Sequence, residues 1–195
     1  MMNIQYCFPT AILSTMNEKI AEEMLPLAKK YLSDKNIINK RIGYKSTYDS
    51  RKEGLEVYEE MKPFANYICE LGMQFMLKQG YVLNFQEFKS NIFASEMHKN
   101  ESHDMHTHPN SVLSGIIYLQ VPEGSSPIIF YDPKGRMKYI VRETVFPTDS
   151  NLNQIHIQPK KGMILMWESW LEHSVPKNNN TKEGRITLVF NLNAQ

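Results

Sequence analysis

Residues 105–121 read MHTHPNSVLSGIIYLQV. Two histidines meet a Pro-Asn turn, and an apolar run follows that only Ser114, Gly115 and Gln120 interrupt. This reads as strand, turn, strand: Pro109-Asn110 supplies the turn chemistry, and the β-branched and aromatic residues beyond it favour a buried, extended backbone. In a strand, side chains i and i+2 project to one side, so His106 and His108 can converge on a single point. Imidazole is the commonest side-chain metal ligand and suits iron, zinc and copper. An HxH alone describes two loop histidines equally well, so a third ligand has to come from elsewhere.

The period of two extends outward from this stretch. Short apolar or alternating segments fall at residues 90–97, 105–108, 112–121, 128–131, 137–144, 155–158, 163–167, 174–176 and 185–192. HPNS, PEGSSP, DPKG, FPTDSN, PKKG and KNNNTKEG separate them with turn chemistry. About eight short strands so spaced predict a mainly β fold with flanking α, a double-stranded β-helix or jelly roll. Before residue 81 the period is helical. Ile20, Met24, Leu27 and Tyr31 share a face that Asn17 is placed to cap. Leu55, Tyr58, Met61, Phe64, Ile68, Leu71 and Phe75 continue the pattern over a longer helix, which Pro63 kinks or restarts. Residues 4–16 are expected to be extended and residues 33–54 to form a long loop. The whole, residues 1–195, is expected to be one domain, with residues 1–80 as a helical cover packed on one sheet of a jelly-roll core, residues 81–195.

Composition narrows the function classes. The 195 residues are 42% hydrophobic and 22% charged, with ten Pro and nine Gly scattered along the chain, the profile of a globular protein. A net charge of +1 gives no field that would make nucleic acid or an anionic membrane the default partner. No transmembrane run or signal peptide is evident, so a cytoplasmic location is expected. Cys7 and Cys69 are expected to be reduced and buried.

A third histidine stands in KGMILMWESWLEHSVP, where a turn and an apolar strand precede His173. A jelly roll brings such a late strand across from an early one. Arg185 follows twelve residues later and opens RITLVFNLN. Alternation puts Arg185, Thr187, Val189 and Asn191 on one face and Ile186, Leu188, Phe190 and Leu192 on the other. A guanidinium fork and a hydroxyl two places on suit a carboxylate.

The order HTHPN, Tyr118-Leu119, His173, Arg185-x-Thr187 resembles the iron(II)/2-oxoglutarate-dependent oxygenase superfamily, whose strands carry HxD, a distant His, then Arg with Ser or Thr two places on. Locally it is closer to the prolyl-hydroxylase type, and it is similar to a group of oxygenases of unassigned substrate from marine bacteria and phages. The resemblance spans roughly residues 90–193. It implies a 2-oxoglutarate-dependent dioxygenase, a hydroxylase that uses iron(II), dioxygen and 2-oxoglutarate on a peptidyl substrate, prolyl among the options, or on a small molecule. His106, His108 and His173 would be the metal ligands. Arg185 would pair with the distal carboxylate of 2-oxoglutarate, and Thr187 and Tyr118 would add hydrogen bonds. The departure is His108, which stands where the family carries a carboxylate. Asp104, two residues before His106, is the alternative ligand, and Glu172 a further one.

Weaker candidates surround this set. His98 and His103 are expected in solvated loops and His156 in an alternating strand. Trp167 and Trp170 are expected in the core, with Trp170 also able to wall a substrate cavity. Asn91, Ser95 and Met97 share a face that could line the pocket, and Ser111 and Ser114 follow the turn. Residues 33–54 and 145–154 are candidate lids. Two rival readings remain: a cupin-type metal dioxygenase or isomerase without 2-oxoglutarate, and a non-catalytic jelly-roll binding module. Arg185-x-Thr187 speaks against the cupin.

Overall fold

The structure, a computed structural model, describes residues 3, 8–39, 43–49, 53–82, 87–135, 145–146, 148, 151–180 and 182–194. Asn17 caps the first helix as its sequence predicts: its side chain accepts from the Ile20 N–H at 3.1 Å. That helix, α1 (Glu18–Ser33), buries Ala21, Met24, Ala28, Tyr31 and Leu32 along one face. The second helix, α2 (Lys62–Lys78), begins with Pro63 in its first turn, where a missing N–H costs no hydrogen bond. Leu55, Tyr58 and Met61 therefore lie in and around two one-turn 3₁₀ segments before α2 rather than in one long helix. Proline is a restart here, not a kink.

The ten strands of the described residues form two antiparallel sheets. They are β1 (Ile12–Met16), β2 (Lys45–Ser46), β3 (Phe88–Met97), β4 (His103–His106), β5 (Leu113–Gln120), β6 (Ile128–Tyr131), β7 (Gln154–Ile157), β8 (Met163–Glu168), β9 (His173–Val175) and β10 (Arg185–Ala194). The larger sheet runs β1-β8-β5-β10-β3-β2 and the smaller β4-β9-β6-β7. The expected strand at 137–144 lies outside the described residues, as does Cys7. Cys69 is free and half-buried.

Alternation sorts each strand of the larger sheet between two cores. Leu113, Ile117 and Leu119 of β5 and Ile186, Leu188, Phe190 and Leu192 of β10 pack under α1 and α2. Ile116, Tyr118, Leu165 and Trp167 face the smaller sheet, against Ile128 and Phe130. The helices therefore cover the outer face of one sheet, and the space between the sheets is left for chemistry. Among the described residues no helix is long and apolar enough to cross a membrane.

Gly115 marks the tightest point of the larger sheet. A Cβ there would lie 2.3 Å from the Phe190 ring and 2.7 Å from the Leu165 carbonyl, and neither can move without disturbing the core. Gly115→Ala is expected to lower unfolding free energy by about 1–3 kcal/mol through overpacking. Urea denaturation read by tryptophan fluorescence checks this, and an unchanged midpoint would refute it.

Candidate metal and cosubstrate centre

Strand β4 pairs with β9 so that His106 lies opposite His173, while His103 lies opposite Val175. Three steps along β4 match two along β9, so a bulge sits between His103 and His106. The chain then leaves β4 through the Pro109-Asn110 turn, with Asn110 at φ 70°, a left-handed conformation that asparagine tolerates. His108 sits in this exit, its N–H donating to the Ser169 carbonyl at 3.0 Å. The ligand nitrogens of His106, His108 and His173 all lie within 4.8 Å of one another. The Nε2 atoms of His108 and His173 are 3.2 Å apart.

Two of the three rings are oriented by backbone. Nδ1 of His106 is 2.7 Å from the Asp104 carbonyl, and Nδ1 of His173 is 2.9 Å from the Leu171 carbonyl. A carbonyl only accepts, so each Nδ1 carries the proton and each Nε2 keeps a bare lone pair. Burial, followed by repulsion from His106, holds His173 down to about 2. The same causes hold His108 at about 4, opposed by the Asn191 side chain. Burial also lowers His106, with Asp104 opposing. All three are neutral at neutral pH, the state in which imidazole ligates. Convergent, neutral and correctly protonated, the trio could hold a divalent first-row metal. Asp104 does not join it: its side chain is exposed, and neither it nor Glu172 belongs to the convergent group.

Deeper between the sheets, Thr187 pairs with Tyr118 on one side and Ser95 on the other, and Ser95 pairs with Ser46. Four hydroxyls thus cross the larger sheet in one row, none more than 4% exposed. Arg185 lies two residues along β10 from this row, opposite Met97, and is itself 3% exposed. Its Nη1 donates to the Ser126 carbonyl at 3.0 Å, and Nη2 lies 3.4 Å from the Met97 sulfur. Its Nε and the Tyr118 hydroxyl have no hydrogen-bond partner among the described residues. Nor does any carboxylate there pair with the guanidinium; its charged or ionisable neighbours include Tyr118, Tyr44 and His103. A buried cation without counter-charge is destabilising by several kcal/mol. Such a pocket fits an anionic oxygen ligand.

Outward from His106 and His108, a cleft of about 1110 Å³ opens toward α2, bordered by Asn91, Asn191, Glu56 and Cys69. Ser111 lines it too, while Ser114 bonds Ser169 and Asn191 at 2.8 and 2.9 Å.

A family model described as "Putative 2OG-Fe(II) oxygenase" matches residues 91–191, from within β3 to within β10. The chain belongs to this family. Its cofactors are accordingly iron(II) and 2-oxoglutarate, which the histidine trio and the guanidinium pocket suit. The oxygenase shares its fold with a Pseudomonas putida prolyl-4-hydroxylase at 10% identity, with 94% of this chain and 93% of that one covered and a TM-score of 0.65. HygX from Streptomyces hygroscopicus, solved with nickel and 2-oxoglutarate bound, is 12% identical over 95% and 84% of the two chains, with a TM-score of 0.61. A Trichoplax adhaerens prolyl hydroxylase, in complex with a hypoxia inducible factor peptide fragment, is 11% identical over 94% and 83%, with a TM-score of 0.60. No curated protein sequence matches the chain.

Some of the weaker candidates sit as the sequence leads one to expect, and others do not. His103 is not a solvated loop residue: it belongs to β4, and its ring stacks on His106 at 3.8 Å. Trp167 is core and meets His173 edge-on at 4.8 Å, but Trp170 is 49% exposed. His98 is exposed beside Glu96, and His156 is exposed on β7. Met97 contacts Arg185 rather than the cleft. Tyr44, for which no sequence pattern suggests a role, is buried and bonded to His103 at 3.0 Å.

The depressed histidines make the metal-free oxygenase sensitive to acid. Below the ordinary value of 6.5 the unfolded chain takes up protons that the native rings refuse, so stability falls as pH drops from 6.5 toward 4. Thermal melts of chelator-treated protein from pH 7.5 to 4.5 should show a falling Tm, with a shallower slope in His173→Phe. A flat profile would contradict it.

Proposed function

We propose that the oxygenase hydroxylates a C–H bond of a peptidyl substrate, a prolyl residue among the candidates, with release of succinate and CO2. The observation that carries the site assignment is a buried, carboxylate-free Arg185 sharing the inter-sheet space with three convergent neutral imidazoles. When bound, iron(II) and 2-oxoglutarate supply the oxidising chemistry by which one atom of dioxygen enters the substrate and the other enters succinate. The chain's own residues bind and orient. His106, His108 and His173 hold the metal, with His108 in the place of the family's carboxylate. Arg185 pairs with the distal carboxylate of 2-oxoglutarate, and Thr187 and Tyr118 donate to the same oxygens. Because the three ligands are neutral, the full dication is left to attract the dianionic cosubstrate.

A peptidyl substrate is supported by the cleft, whose volume exceeds the roughly 300–1,000 Å³ of pockets that enclose a small molecule. The bound peptide fragment of the Trichoplax adhaerens neighbour points the same way. The cupin reading falls with the family match.

Anaerobic titration with iron(II) and 2-oxoglutarate tests the assignment. A weak visible charge-transfer band is expected on forming the chelate. Arg185→Ala should weaken 2-oxoglutarate about 100-fold, near 3 kcal/mol for a lost charge-assisted hydrogen-bond pair, while iron stays bound. His108→Ala should lose iron. Undiminished iron affinity in that variant would return Asp104 to the ligand set, and a metal-loaded parent with no band would remove 2-oxoglutarate from this site.

A further inference from the structure

The fourth histidine at the centre has no place among the convergent ligands, yet it is held as firmly as they are. His103 stacks on His106 with ring centroids 3.8 Å apart and planes 22° from parallel. Its Nδ1 lies 3.0 Å from the Tyr44 hydroxyl, and the two rings meet edge-on at 5.3 Å. Spacing alone would separate His103 from His106, because residues i and i+3 of a regular strand face opposite sides. The β4 bulge brings both inward.

Tyr44 reaches this point through strand pairing. Lys45 pairs with Glu96 and Ser46 with Ser95, which sets Tyr44 beside Met97 on the inner face of the larger sheet. There it packs with Met97 and Val175 at 3% exposure. Ser46 anchors the segment by bonding the Ala94 carbonyl at 3.1 Å and the Ser95 hydroxyl at 3.2 Å. The Tyr44 hydroxyl also engages the Ser95 side chain, and its ring lies near Arg185. The part of residues 33–54 expected to be a lid thus includes a fixed wall.

We propose that Tyr44 and His103 are positioning residues for the metal ligand His106, an inference that rests on the three-histidine centre above. His106 ends a four-residue edge strand just past a bulge, where backbone alone leaves a side chain loosely held. The Asp104 carbonyl fixes the direction of Nδ1, but one hydrogen bond leaves the ring free to tilt about it. The stacked His103 ring removes that freedom, and Tyr44 keeps His103 from turning away. Outer partners of ligating histidines typically contribute 10–100-fold to metal affinity. The arrangement also joins both ends of the cosubstrate site, since Tyr44 neighbours Arg185 while its partner braces the ligand.

Cobalt(II) titration of the full chain, followed by its visible ligand-field bands, reads ligand geometry without turnover. Tyr44→Phe, which keeps the packed ring and removes one oxygen, should weaken cobalt about 10-fold and alter the bands. His103→Ala should weaken it by up to about 100-fold. His98→Ala, at an exposed histidine, should match the parent. Should His103→Ala fail to fold, Tyr44→Phe decides alone. Variants that melt like the parent and bind cobalt with its affinity and spectrum overturn the brace. A parent that binds no cobalt overturns the three-histidine centre itself.

Discussion

The cross-strand pair of His106 and His173 is the contact on which the rest of the site depends. The two residues are far apart in sequence, and only the closing of the smaller sheet, β4 on β9, sets them face to face. That pairing holds because β9 is clamped on its other side by β6, with Phe130 opposite His173. Phe130 and Trp167 then pack edge-on at 4.9 Å and tie this ladder to the larger sheet. The candidate ligand nitrogens are therefore held by the same apolar contacts that hold the two sheets together.

The inner face of the larger sheet is layered. Trp167, Ser114, Asn191 and Asn91 form one row across β8, β5, β10 and β3. Leu165, Ile116, Val189 and Phe93 form the next, and Tyr118, Thr187, Ser95 and Ser46 the one below it. An apolar belt thus separates the polar mouth from the hydroxyl floor beside Arg185. Water is kept from the floor, so a charge pair formed there is screened little and each hydrogen bond counts for more. The belt leaves the guanidinium buried with few protein partners, in a pocket that suits an anionic oxygen ligand.

Much of this was legible in the chain. The alternation of RITLVFNLN assigns Arg185 and Thr187 to one face and the helix-covered residues to the other, because a strand buried on both sides against different cores obeys period two without exception. Asn17 and Pro63 mark the helix starts by local chemistry alone. What period two cannot show is where it breaks. The β4 bulge turns His103 inward, against its spacing, and leaves Asp104 exposed although alternation places it with His106. Tyr44 was invisible for another reason: β2 is two residues long, and so short a strand has no pattern to read. Its place comes from tertiary pairing with β3. Trp170 misled because apolar neighbours suggest core, whereas its indole N–H is satisfied at the surface by Glu168.

Among the described residues strand β4 is also an edge strand of its sheet. An edge strand answers to one neighbour only, so residues can be inserted, lost or exchanged along it without disturbing a second ladder. Strands β9 and β6, each paired on both sides, do not have this latitude. His106 at the end of this strand, and His108 just beyond it, therefore sit where the backbone is held from one side. His173 and Arg185, both on strands paired on two sides, occupy positions where drift would be felt at once. The candidate ligand set thus joins one adaptable rim to one rigid interior position.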